Sequence, residues 1–191
     1  MSNELKETDY YPEICLKMLK YLEDCMGGGC KFACSIKTSL PEMVNDIYAQ
    51  LGEDGSDVYY PQLKVDITIG VKFPNAKISL ILLEVKLGST LSLMNFSQLV
   101  GYMQVAKHIE VGLLILVNKG VKGSPLSSDF ASIINVRQLP ADWKVLLNNT
   151  KEHYNFKTGI CMYTPSNGID WVDSSICSGI SNWGNLKDSL T

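Results

Sequence analysis

The chain predicts an α/β protein, a mixed β-sheet with helices packed on its faces, on three observations. The runs Ile78–Val85 and Val111–Val117 are apolar at nearly every position, as strands buried on both faces are. Between them a helical segment opens at Ser92 or Asn95 and runs to about His108, the kind of crossover that parallel strands require. Ahead of them Val58-Tyr59-Tyr60 and Leu63–Val71 read as two more strands, the first broken by Pro61. Phe73-Pro74-Asn75-Ala76 then turns the chain into the third.

The remaining elements follow from local chemistry. From Tyr11 to Met26 the residues Cys15, Met18, Leu19, Leu22 and Cys25 recur at helical spacing, with Pro12 in the first turn and Gly27-Gly28-Gly29 as the stop. Lys31–Lys37 is a short run that fits a strand or a connection. Ser39 caps a second helix that reaches about Leu51 and presents Leu40, Met43, Val44, Ile47 and Leu51 on one face. From Ser39 to Val117 the order is therefore helix, strand, strand, strand, helix, strand. Further on, Asp129–Gln138 reads as helix or strand and Ala141–Asn148 as a short helix. Gly159–Tyr163 and Ile169–Val172 flank the turn Pro165-Ser166-Asn167-Gly168 and form an added C-terminal hairpin. The polar tail Ser178–Thr191 reads as loosely held.

At 191 residues the chain suits one domain, with its core at about 39–118, a helix at 11–26 before it and a C-terminal elaboration over 123–191. It has no run of about 18 apolar residues to span a membrane. Its polar, acidic start, Met1 to Glu7, is unlike a secretory leader, so a cytoplasmic protein is expected. In that setting the six cysteines are expected to be mostly reduced and packed. The trio Cys25, Cys30 and Cys34 lacks a CxxC pair and reads as ordinary thiols beside a glycine turn.

Net charge is −3, but it is unevenly spread. Residues 1–60 hold five lysines against eleven acids, and residues 64–122 hold seven lysines against three acids. The basic segment suits an approaching phosphate chain, with Lys64, Lys119 and Lys122 as the expected contacts. A single arginine, Arg137, leaves little bidentate readout of guanine.

That same segment carries the unusual residues. Glu84-Val85-Lys86 closes an apolar strand, and Asp66 lies in the strand before it. An unpaired buried carboxylate costs several kcal/mol, so acids at neighbouring strand positions call for a compensating cation. Glu84 and Lys86 share a face because side chains alternate along a strand. Two carboxylates suit Mg²⁺, with the backbone carbonyl of Val85 as a further ligand and Lys86 beside the attacking water of a phosphodiester hydrolysis.

Asp66, then Glu84-Val85-Lys86 eighteen residues later, within this order of elements, resembles the PD-(D/E)xK nuclease superfamily. Gln98-Leu99-Val100-Gly101-Tyr102 is similar to the QhxxY motif of its RecB-like branch. Val65 stands where that pattern has proline, and His108 and His153 are not where the branch places a histidine. The resemblance implies a restriction endonuclease-like α-β-β-β-α-β core and a Mg²⁺-dependent deoxyribonuclease, with Mn²⁺ able to substitute. It implies that Asp66 and Glu84 bind metal, that Lys86 acts on water, and that Gln98 steadies Lys86 or DNA. Tyr102 would line the same cleft. Glu42 matches the glutamate many members carry on the first core helix, with Glu13 or Glu23 behind it. A homodimer acting on DNA is expected. The rival readings are an idle module of the same fold that binds nucleic acid or assembles, and an unrelated α/β interaction protein. Trp143, Trp171 and Trp183 are expected in the core.

Overall fold

The computed structural model describes residues 5–55, 57–120, 123–136, 156–172 and 180–191. Helix α1 (Tyr11–Met26) follows a short 3-10 turn over Glu7–Tyr10. Next come β1 (Lys31–Ser35), α2 (Leu40–Leu51), β2 (Ile67–Lys72), β3 (Ile78–Leu87), α3 (Leu93–Val105) and β4 (Val111–Val117). The described chain continues with α4 (Ser128–Val136), β5 (Lys157–Thr164), β6 (Gly168–Trp171) and α5 (Trp183–Leu190).

Among the described residues the strands form one six-stranded mixed sheet in the order β1-β2-β3-β4-β5-β6. Strands β1, β2 and β3 form an antiparallel meander. Strands β3, β4 and β5 are mutually parallel, and β6 returns antiparallel to β5. Alternation along the strands divides the core in two. Ile67, Ile69, Ile81, Leu83 and Val85 pack beneath α1 and α5, while Leu80, Leu82, Leu114 and Leu116 pack with the apolar faces of α2 and α3. Two glycines let the second pair of helices sit close. A Cβ at Gly70 would stand 2.2 Å from Ile47 of α2, and one at Gly112 would stand 2.7 Å from the sulfur of Met103 of α3. α3 is held at its start by a capping box between Ser92 and Asn95.

The α/β class, the two-sided strands, the crossover helix and the C-terminal hairpin are as the sequence predicts. Three readings are corrected. Val58–Tyr60 is not a strand: the place beside β2 is taken by β1, Pro61 has no N–H to offer a ladder, and Tyr60 is buried instead, its ring edge-on to His108. The helix at 40–51 is consequently an insertion between β1 and β2, so α1 is the helix that precedes the meander. The tail is not loose over 180–191. Asn182 caps α5, and Leu186 and Leu190, one turn apart, are wholly buried. The Leu190 carbonyl accepts bonds from Lys77 Nζ and Ser79 Oγ. Ala141–Asn148, Trp143, His153 and Cys177 lie outside the described residues.

The thiol reading is corrected in part. Cys15 of α1 and Cys34 of β1 form a disulfide, which removes Cys34 from the glycine-turn trio and ties the first helix to the first strand. Cys25 and Cys30 are free thiols. No helix among the described residues is long and apolar enough to cross a membrane.

Candidate active site

The ladder between β2 and β3 begins at Ile67 opposite Leu83, yet β3 runs on for four residues, to Leu87, paired among the described residues with β4 alone. Beyond Ile67, where β2 starts, alternate N–H groups of β3 face an open edge. Such groups are costly to leave unpaired. Two carboxylates take them: the Val85 N–H donates to Asp66 Oδ2 at 2.8 Å, and the Leu87 N–H donates to Glu7 Oε2 at 2.8 Å. This overhang brings residues far apart in sequence into one cluster.

The Tyr11 hydroxyl lies 2.6 Å from Asp66 Oδ1 and 3.2 Å from Glu7 Oε1. A phenol has one proton to give, and the shorter bond assigns it to Asp66. On β3, Glu84 and Lys86 point to the same face, and Lys86 Nζ donates to Glu84 Oε1 at 2.5 Å. Glu84 is almost fully buried, with its side chain 2% exposed against 24% for Lys86. The cluster thus holds three carboxyl groups (Glu7, Asp66 and Glu84), one ammonium and one phenol.

Its electrostatics follow from that count. Burial, then the Asp66 charge, push the Glu84 carboxyl up to about 7, with Glu7 adding to the push, while the hydrogen bond and charge of Lys86 oppose it. For Lys86 burial pulls down, but the bond to Glu84 and the charges of Glu84, Asp66 and Glu7 outweigh it, and the ammonium is held above its usual range. Burial and the bond to Asp66 raise the Tyr11 hydroxyl, so it stays a donor at physiological pH. With every carboxyl ionised the cluster carries a formal charge of −2, the local excess that a divalent cation offsets.

The predicted residues divide clearly. Asp66, Glu84 and Lys86 converge, and Val85 joins them through its N–H, its side chain lying in the core beneath α1. Gln98 and Tyr102 bond to each other on α3, Nε2 to Oη at 2.8 Å, and this is the contact the structure shows for Gln98 rather than one to Lys86. Glu42 is exposed in the first turn of α2, where the Thr38 hydroxyl donates to it, and it is not joined to Asp66 or Glu84. Glu13 stands beside the Tyr163 hydroxyl, on the helix, and Glu23 lies near the far end of α1. Lys64 is exposed two residues before Asp66, and Lys119 is exposed just past β4, its Nζ 3.4 Å from the Leu5 carbonyl. Lys122 lies outside the described residues. His108 packs edge-on to Tyr60, and Trp171 and Trp183 pack against each other with Tyr21.

Sequence reasoning missed Glu7 and Tyr11. Their four-residue spacing in front of Pro12 was the available signal, since an acid and a phenol one turn apart at a helix start share a side.

Among the described residues no three His, Cys, Asp or Glu side chains stand together as a ready metal-holding group. The donor chemistry nevertheless fits Mg²⁺ or Mn²⁺, because magnesium is commonly held by one or two carboxylates with waters completing its shell, and Asp66 and Glu84 are oxygen donors in a cluster of excess negative charge. No protein-family model matches the chain, and neither curated proteins nor solved structures give a match.

Proposed function

We propose that this protein is a metal-dependent nuclease of the PD-(D/E)xK type, hydrolysing DNA phosphodiester bonds at the overhang of β3. One observation carries the reading: Asp66, Glu84 and Lys86, spread over twenty-one residues of sequence, meet in a half-buried cluster whose acids outnumber its cations. The order helix, antiparallel three-strand meander, helix, parallel strand, formed by α1, β1, β2, β3, α3 and β4, supports a restriction endonuclease-like core with α2 inserted. In this arrangement Glu7, next to the first helix, would take the part expected of Glu42.

Asp66 and Glu84 would hold Mg²⁺, which when bound neutralises the phosphate and lowers the pKa of a coordinated water. The protein's own groups do the rest. Tyr11 and the Val85 N–H fix the Asp66 carboxylate, leaving each oxygen a second lone pair. Lys86, charged at physiological pH, is set to orient the attacking water or to offset charge on the phosphate rather than to act as a neutral base. Gln98 and Tyr102, paired on α3, serve the same face as contacts for the nucleic acid. A homodimer would address both strands of a duplex.

A second reading has its own observation. Asp66 and Glu7 each satisfy a backbone N–H of β3, so both acids have a structural use without any metal, as in an idle module of the same fold. Isothermal titration with Mn²⁺ separates the two. Asp66→Asn keeps an acceptor oxygen for the Val85 N–H but loses the charge, so the nuclease reading expects the fold to persist while metal binding falls away. Equal Mn²⁺ binding by both proteins, or none by wild type, together with no metal-dependent cleavage of linear, circular or single-stranded DNA, would leave the idle module.

A further inference from the structure

Strands β3, β4 and β5 are parallel, so their carboxyl ends share one edge of the sheet, the edge that carries the acid cluster. Open α/β sheets bind ligands outside the carboxyl ends of their strands. Along this edge, next to the cluster, lies a cavity of about 510 Å³ between the residues that follow β4 and the β5–β6 turn. Its rim includes Tyr10, Asn118, Lys119, Thr164, Ser166 and Asn167. Tyr10 is the chain neighbour of Tyr11, which bonds Asp66, and Gly88, two residues past Lys86, donates its N–H to the Val117 carbonyl at the end of β4. Cluster and cavity are thus joined by backbone on both sides.

We infer that this cavity holds the nucleotide next to the scissile phosphate, with the flanking phosphate on Lys119 and the sugar and base edges against the amides and hydroxyls of the rim. The inference rests on the nuclease reading for the position of the scissile bond. The chemistry of the two places is complementary. The acid cluster repels an anion until a cation is bound, whereas the cavity presents an exposed ammonium, three hydroxyls (one of them phenolic) and two amides, with no carboxylate on its rim among the described residues. Lys119 spends one N–H on the Leu5 carbonyl at 3.4 Å and keeps donors for a phosphate oxygen. A strand lying over both places would meet metal at one phosphate and Lys119 at the next.

The test reads binding without catalysis. Fluorescence anisotropy with a labelled single-stranded oligodeoxynucleotide in EDTA is followed against salt for wild type, Lys119→Gln, Lys119→Arg, Ser166→Glu and Lys157→Gln. Lys157 is exposed at the start of β5, on the opposite edge, and controls for net charge. Lys119→Gln is expected to weaken binding several-fold and to lower the slope of log affinity against log salt by about 0.7, one phosphate on a single strand. Lys119→Arg restores both. Ser166→Glu weakens binding while leaving the Leu5 contact in place, which separates phosphate repulsion from loosening of the N-terminal segment. Equal slopes for Lys119→Gln and Lys157→Gln, or no DNA binding by wild type, overturn the subsite. Metal-dependent cleavage by wild type with equal slopes sinks the subsite alone. Lys119-dependent binding with no metal-dependent cleavage sinks the nuclease reading and leaves the cavity a DNA-binding site.

Discussion

Two acid–lysine pairs sit at opposite ends of the β2–β3 ladder, and they are built differently. Where β2 ends, Lys72 meets Glu53, with side chains 19% and 37% exposed, one cation to one anion in reach of water. Where β2 starts, Lys86 meets Glu84, whose side chain is 2% exposed, and two more carboxyl groups crowd the same place. The first pair is a clip between β2 and the chain after α2, of a kind contributing about 0–1 kcal/mol. The second is poorly explained by stability, since buried pairs commonly fail to recover their desolvation cost. Surplus charge retained in a buried place points to something that binds there.

The largest effect expected from this contrast is kinetic. Lys86→Ala should reduce metal-dependent DNA cleavage about 10²–10³-fold, the usual range for a group that stabilises charge in the transition state. The fold should survive, because Glu84, already pushed up to about 7, escapes the loss of its partner by taking a proton. A Lys86→Ala protein that cuts as fast as wild type would reduce the Glu84–Lys86 pair to the status of the Lys72 clip.

The next effect is on stability against pH, measured in EDTA by urea denaturation. Glu84 has its folded-state value raised from 4.5 to about 7, so between those values the folded state binds the proton that the unfolded state has released. Stability must then fall as pH rises through this window, by up to about 3 kcal/mol. Glu84→Gln should flatten that slope, and saturating Mn²⁺ should shift it downward in pH by favouring the ionised form. A wild-type profile as flat as that of Glu84→Gln would show that burial imposes no such cost.

How much of this was legible beforehand depends on range. Ile78–Val85 and Val111–Val117 announced buried strands because two-sided burial leaves an unbroken apolar run, and Glu84 with Lys86 shared a face by period-two alternation alone. Asp66 stood out as an acid beside such strands. Glu7 and Tyr11 did not, because their partners lie 80 and 55 residues away, and nothing local marks a contact of that reach. The sheet position of β1 was hidden for a related reason. Lys31–Ser35 is a short strand of mixed character, while Val58-Tyr59-Tyr60 has the better strand propensity, and pairing with β2 over Thr68–Lys72 overrode it. That misplacement made α2 look like the helix that leads into the meander and pointed to Glu42. In the tail, Leu186 and Leu190 offered a helical stripe too short to stand out among Ser, Asn and Gly.

Tyr11→Phe should have a moderate effect. Losing a hydroxyl that donates to a carboxylate is expected to cost about 1–2 kcal/mol, and groups that orient a ligand commonly change metal affinity about 10–100-fold. Tyr11 acts through Asp66, so Mn²⁺ titration is the informative readout: a purely structural phenol would lower stability and leave affinity alone. Unchanged stability and affinity together would mean that Asp66 needs no orienting beyond the Val85 N–H.

The smallest effect is the one that makes the comparison fair. Lys72→Ala removes a lysine on the same strand pair as Lys86, and Lys72 also reaches the Leu51 carbonyl at the end of α2. Its partner Glu53 is exposed enough to recover hydration, so the change should cost about 1 kcal/mol or less and leave cleavage unaltered. Denaturation and cleavage run beside Lys86→Ala give the contrast directly. If removing either lysine lowered the rate alike, the loss would reflect general weakening of the β2–β3 ladder. If only Lys86 mattered, the difference between the two ends of β2 would be one of chemistry, set by where β3 outruns its neighbour and acids gather at the exposed edge.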